Sequence, residues 1–322
     1  MSGSIVPEAF AGILSRLSLP VIAAPMLRVS GLQLVEACCK AGVIGAFPTA
    51  NCRSTEELDD WLGQLRSRLS PAAAPFCPNL IMRSPTLRAD LDRVVAHGVE
   101  MVITSVGSPE PVIAPLRAVG CLVFADVASV QHARRAIEAG ADGLVLLTAG
   151  AGGQTGWANP FAFVRAVRAF FKGPLVLAGG ISDGCALHSS RVLGCDLGYM
   201  GTSFIATRES AAQESYKQML VDSGMDDVIL TPAFTGLPTS ILRPSVRAAG
   251  IDPDKLSLDP EPHAARALYG PEGSGPRRWR DIWSAGHSVS GVVDIPRVQE
   301  LVSRICDEYA EAGHCQPKLT AR

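Results

Sequence analysis

One punctuation recurs along the first two thirds of the chain: a helical stretch stops at a glycine, and a short apolar run follows at once. It is seen in CCKAGVIGAF, VAHGVEMVI, RAVGCLVF, IEAGADGLVL and RVLGCDLGYM. A glycine after the last helical turn caps the helix and redirects the chain into the next element. The apolar runs lie at 20–26, 43–47, 75–82, 101–105, 121–126, 143–147, 175–178 and 197–200. Several are apolar at consecutive positions, as in parallel strands covered on both faces. Periodic segments at 30–41, 55–69, 84–97, 109–119, 129–139, 161–171 and 184–193 alternate with them. Eight strand–helix units in this order predict an α/β fold, a (β/α)8 TIM barrel. A doubly wound open sheet is the alternative.

Past residue 206 the rhythm changes. The stretch 211–223 reads as a helix, 231–255 is turn-rich, 259–280 is loop-like, and 296–312 reads as a closing helix. The expected organisation is a barrel over 1–210, a helical and loop-rich cap over 211–290, and a C-terminal helix within 291–322 that packs back on the barrel. Hydrophobic residues make up 47% of the chain, enough for one large core.

Composition narrows the function classes. Lys plus Arg (29) nearly balance Asp plus Glu (31), for a formal net charge of −2. That argues against a nucleic-acid surface, which needs a basic face. No run of about 18 apolar residues suggests a membrane span, and the N-terminus lacks the basic and apolar regions of a leader. Nine cysteines without CxxC spacing read as reduced, buried thiols. A cytoplasmic protein is expected. There is no metal-ligand spacing and no GxSxG elbow. A homodimer is compatible with the sequence but not required by it.

In such a barrel, chemistry sits at the C-terminal ends of the strands. Those ends carry Ala24-Pro25-Met26, Asn79, Thr104-Ser105 and Asp126. The sixth runs into TAGAGGQTGWANP, and the last two lead to Gly179-Gly180-Ile181 and Gly201-Thr202. Glycine turns after the last two strands suit a phosphate. Gly150, Gly152 and Gly153 suit backbone laid against a flat ring. A flat, hydrogen-bonding ring with a phosphate tail describes FMN.

The ordered set APM, AGVIGAF, ITSVGSP, AGADGLVLLTAGAGGQTG, VLAGGISDG, GYMGTSFIATRES and FTGLP resembles the nitronate monooxygenase family, also called 2-nitropropane dioxygenases. The resemblance covers nearly the whole chain and implies an FMN-containing TIM barrel with a helical cap. It implies that FMN is held by backbone around Ala24, Pro25 and Met26, by Asn79 and by the Gly152–Gly153 region, with Asp126 beside them. The phosphate would fall to Gly179, Gly180 and the stretch Tyr199-Met200-Gly201-Thr202. In the family, nitronate reduces FMN and O2 completes the oxidation, giving a carbonyl compound and nitrite.

Two positions depart from the family pattern. Leu147 stands where a glutamine is usual, and Gln154 replaces the AGGH histidine that serves as catalytic base. A glutamine amide does not titrate near neutrality. Loss of a general base typically costs about 10²–10⁴-fold in proton transfer. Neutral nitroalkanes should suffer, and nitronates, already ionised, should not. His287, in SAGHS where the family often shows AGQ, is a candidate replacement base; a solvent-facing loop residue is the plainer reading. His132 and His188 are weaker candidates on helices. Met26, Trp157, Phe234 and Ser288 are expected to line the substrate pocket, although Trp157 would equally serve to pack its loop. The leading expectation is an FMN-dependent oxidoreductase acting on a small molecule and O2. The alternatives are an NAD(P)H-dependent flavin reductase of quinones or activated C=C bonds, and a flavin-free, phosphate-binding isomerase or lyase.

Overall fold

The structure, a computed structural model, describes residues 7–257, 269 and 275–314. Its centre is a closed barrel of β1 (Val21–Ala23), β2 (Ile44–Pro48), β3 (Phe76–Ile81), β4 (Met101–Ser105), β5 (Leu122–Val127), β6 (Gly143–Leu147), β8 (Leu175–Ala178) and β9 (Leu197–Met200). Neighbours pair in parallel in that order, and β9 returns to β1 with Ile22 opposite Tyr199. The two-residue β7 (Gly153–Gln154) lies outside the barrel. The glycine-punctuated runs of the sequence are these eight strands, and none overruns its expected bounds by more than one residue.

Helices α2 (Leu32–Lys40), α3 (Thr55–Arg68), α4 (Leu87–Ala96), α5 (Glu110–Ala118), α6 (Val130–Glu138), α7 (Pro160–Arg168) and α8 (Gly184–Leu193) join the strands. Four of them start at side-chain caps. Ser54, Ser129, Asn159 and Asp183 accept hydrogen bonds from first-turn amides, and Pro160 opens α7. Cys39, Cys121 and Cys195 are buried among these layers, and burial pushes their thiols up to about 12, so they pack rather than react.

A first helix, Glu8–Leu14, was not expected from the sequence. It lies at the N-terminal ends of the strands, where the following Arg16 pairs with Glu100 just before β4. Phe10 and Ile13 are fully buried and join the barrel's inner cluster with Ile22, Ile44, Met101 and Phe124. The Phe10 and Phe124 rings are 5.7 Å apart. This helix seals the base of the barrel.

The expected helical cap is a mixture. After a short α9 (Thr202–Ile205) and α10 (Glu214–Val221) come β10 (Val228–Thr231), β11 (Thr239–Leu242) and α11 (Arg243–Ala248). The two strands pair antiparallel, and β11 also pairs with β7, giving a small sheet in the order β10-β11-β7. Neither strand stands out locally, because each is stabilised by a partner distant in sequence. The closing helix Val298–His314 packs against α8, where the Glu308 carboxylate accepts from the Gly184 amide at 2.9 Å. His188 is half-buried there, edge-on to the Tyr309 ring at 5.4 Å, and is not a surface residue.

Phe10→Ala should cost about 3–5 kcal/mol in urea unfolding by opening a void under the barrel. A loss below about 1 kcal/mol would mean that the base is not sealed by this ring.

Candidate active site

Side chains alternate inward and outward along a strand. An inward position at or near the C-terminal end of each barrel strand is Ala24, Pro48, Asn79, Ser105, Asp126, Leu147, Ala178 or Tyr199. All eight line one cavity of about 1070 Å³ at the C-terminal mouth. Small-molecule sites usually span roughly 300–1,000 Å³, so this one is large.

The turn after β1 is built by groups outside the cavity floor. Ser30 Oγ accepts from the Met26 amide and donates to the Ala24 carbonyl. Asn51 Nδ2 donates to the Met26 and Ser30 carbonyls, both at 2.9 Å. The Ala24–Met26 backbone is thus fixed before any ligand arrives. Across the floor, Asn79 Nδ2 donates to the Ile103 carbonyl at 3.3 Å, and Ser105 Oγ donates to Asn79 Oδ1.

Asp126 faces the cavity with its Oδ1 buried and without a hydrogen-bond partner among the described residues. Burial raises its carboxyl to about 7, so it is protonated below that pH. Burial, and next the Asp126 charge, keep the Tyr199 phenol well above its usual range. On the far side, Gly179 (φ 121) and Gly180 (φ 74) adopt left-handed backbone. A Cβ on Gly180 would meet no protein atom within 4 Å, so the glycine leaves open space toward the cavity.

The strand-6 loop is clamped by segment 284–287. The His287 amide donates to the Gly150 carbonyl at 2.9 Å, and the Gly153 amide donates to Ser284 Oγ at 2.9 Å. The Gly286 amide donates to Thr202 Oγ1 at 3.0 Å. A Cβ on Gly152 would lie 2.9 Å from the Gly286 nitrogen, and one on Gly286 would lie 2.6 Å from the Gly150 carbonyl oxygen. The glycine density here therefore serves a protein–protein backbone crossing. Gln154, opposite Thr239 in β7, projects from that crossing and lines the cavity.

Of the residues singled out in the sequence, Ala24, Pro25, Met26, Asn79, Asp126, Gly152, Gly153, Gln154, Gly179, Gly180, Tyr199, Gly201, Thr202 and Ser288 line the cavity. Four do not. Met200 points outward from β9, opposite in phase to Tyr199, and is buried among the surrounding helices. Phe234 is fully buried in a separate cap cluster with Ile241, Val246 and Ile282, beside the Tyr269 ring. Trp157 is 82% exposed on a loop that folds back on itself, where the Ala149 amide donates to the Ala158 carbonyl. His287 is exposed, with its ring against Gly150, and is not among the cavity-lining residues. Pro48, Ala178, Arg83, His132, Arg135, Tyr216 and Trp283 line the cavity and were not assigned to it from the sequence. Strand alternation would have found the first two.

The family model described as nitronate monooxygenase matches residues 81–308. The chain belongs to the nitronate monooxygenase family. A nitronate monooxygenase of Paraburkholderia phytofirmans is 26% identical over 294 residues, covering 78% of this chain and 79% of that one. A Mycobacterium tuberculosis protein named (3aS,4S,5R,7aS)-5-hydroxy-7a-methyl-1-oxo-octahydro-1H-indene-4-carboxyl-CoA dehydrogenase is 26% identical over 227 residues, covering 70% of this chain. That match spans 63% of the dehydrogenase's own length. Among solved structures, FabK from Thermotoga maritima superposes with a TM-score of 0.78 at 25% identity, covering 94% of this chain and 96% of its own. Nitroalkane oxidase from Streptomyces ansochromogenes also gives 0.78, at 26% identity, covering 94% of this chain and 99% of its own. Among the described residues, no helix is long and apolar enough to cross a membrane.

Asp126 gives a signed stability test. Between its ordinary value of 3.8 and about 7 the folded chain holds a proton that the unfolded chain releases, so stability falls as pH rises through that window. Asp126→Asn removes this loss. Its thermal stability relative to the parent should grow from about pH 4 to 7 and level off near roughly 4 kcal/mol. A difference that does not change with pH would contradict a buried, protonated Asp126.

Proposed function

We propose that the chain is an FMN-dependent oxidoreductase that oxidises nitronates with O2 to a carbonyl compound and nitrite. The observation that carries this reading is the chemistry of two hydrogen-bonding groups that line the cavity, one exposed on the cap strand β7 and one buried on the floor. Gln154 brings an amide, and Asp126 is protonated below about 7. Such groups suit a substrate that arrives already ionised and needs donors more than a base.

The residues present fit FMN. The left-handed Gly179–Gly180 turn leaves open space for a phosphate beside β8 and β9. The pre-fixed Ala24–Met26 backbone and Asn79 offer polar edges to a flat ring, and the unpartnered Asp126 oxygen offers another. When bound, FMN supplies the two-electron redox chemistry. Gln154 would orient the nitro oxygens, and protonated Asp126 would donate a hydrogen bond without adding negative charge near an anion.

A second reading is NAD(P)H-dependent reduction of a quinone or an activated C=C bond. The size of the cavity and the cationic side chains at its mouth favour it. So do the likeness to FabK and the relative named as a CoA dehydrogenase.

Anaerobic mixing of the flavin-loaded protein separates the two. A small secondary nitronate should bleach the visible flavin absorbance, and its parent nitroalkane should do so at least about 10²-fold more slowly. Bleaching by NADPH or NADH, with the nitronate inert, would replace the first reading by the second.

A further inference from the structure

Three basic side chains at the cavity mouth, Arg83, His132 and Arg135, have no role in the flavin reading. Arg83 follows β3, and His132 and Arg135 stand in the first two turns of α6, after β5; all three line the cavity and are exposed. Arg83 and Arg135 have no ion-pair partner among the described residues, and the acidic side chain among the lining residues is Asp126, deep on the floor. Strand order fixes where this charge lies. In the closed barrel β3 is four strands from β8, and β4 is four strands from β9. Arg83 therefore faces the Gly179–Gly180 turn from across the barrel, whereas His132 and Arg135, which follow β5, lie two strands away from β8.

Between the two arginines runs the loop after β4. Its Val106 has φ 59, is 40% exposed and lines the same cavity. A β-branched residue with positive φ is strained, and such strain concentrates at ligand clamps. Here it holds an apolar side chain at the mouth, flanked by cations. Leu27 adds a second exposed apolar surface to the lining.

We propose that the β3–β5 side of the mouth is a second anion subsite, which binds the phosphorylated adenosine handle of a co-substrate. One guanidinium matches a carboxylate, whereas two unpaired guanidiniums match the higher charge of a phosphate ester, with an imidazole beside them to hydrogen-bond. The apolar surface between them suits a purine ring. Coenzyme A thioesters and NADPH both carry such a handle. The inference rests on the flavin reading in one respect, the assignment of the glycine turn to the flavin phosphate.

The test is calorimetric titration of the full, flavin-loaded chain with adenosine 3′,5′-bisphosphate, adenosine 2′,5′-bisphosphate and unphosphorylated adenosine. One bisphosphate should bind, and adenosine should bind far more weakly. Arg83→Gln and Arg135→Gln should each weaken the bisphosphate about tenfold or more, as expected for lost hydrogen bonds to a charged group. Arg88→Gln, whose side chain pairs with Asp92 outside the cavity lining, should not. Preference for the 3′,5′ compound assigns the subsite to a coenzyme A thioester, and preference for the 2′,5′ compound to NADPH. Absence of bisphosphate binding, or equal affinity in the Arg83→Gln/Arg135→Gln double variant, overturns the proposal. If the chain takes up no flavin, the flavin reading fails by itself, and the same titrations on the flavin-free chain still decide the subsite.

Discussion

Backbone crosses backbone with no side chain between them where Gly150–Gly152 meets Gly286. This contact couples the barrel to its cap. On one side it continues β6; on the other it leads through Ser284, whose hydroxyl donates to the Ser240 carbonyl of β11. Thr202 closes the arrangement by accepting from Gly286. A side chain at either glycine would push the two segments apart, because protein interiors leave no slack for an added carbon against backbone. Gln154, the last residue of β7, is placed over the cavity by this crossing and by its pairing with Thr239.

Below that crossing the barrel supplies the floor and above it the cap supplies the walls. Inward alternation along eight strands presents side chains from every strand end to the cavity, and the polar ones are Asn79, Ser105, Asp126 and Tyr199. Desolvation sets the protonation of the two titratable groups, raising both Asp126 and Tyr199. The result is a deep site whose one carboxyl is protonated below about 7, with arginines at its rim. We propose that an anion bound deep in such a site gains from fixed donors in a low-dielectric setting.

Much of the fold is legible in the sequence because its signals are local. Glycine stops, capping residues and apolar runs are each read within a few residues, and together they give the barrel. The sealing helix at 8–14 is missed because its two buried residues, Phe10 and Ile13, make too short a pattern to stand out. The cap sheet is missed because β11 is stabilised by β10 and β7 and not by its own composition. The site splits in the same way. Apart from Met200, which points outward from β9, the residues expected on strand ends and glycine turns line the cavity, whereas Phe234, Trp157 and His287 depend on how the cap folds over the barrel, which no local motif encodes. The glycines of TAGAGGQTG are the instructive case. Their density is read correctly as close approach, but the neighbour that the structure supplies at Gly150 and Gly152 is protein.

We propose that this cavity holds FMN with its phosphate at the Gly179–Gly180 turn. A Cβ on Gly180 meets no protein atom within 4 Å, so a longer side chain there intrudes on the cavity and not on the core. Fluorescence titration of FMN into the flavin-free chain and into Gly180→Leu tests it most directly. The account predicts saturable binding to the parent chain and at least about tenfold weaker binding to the variant, a loss of the size expected for displaced charged hydrogen bonds. Equal affinity in the two proteins, or no FMN binding by the parent chain, would contradict it.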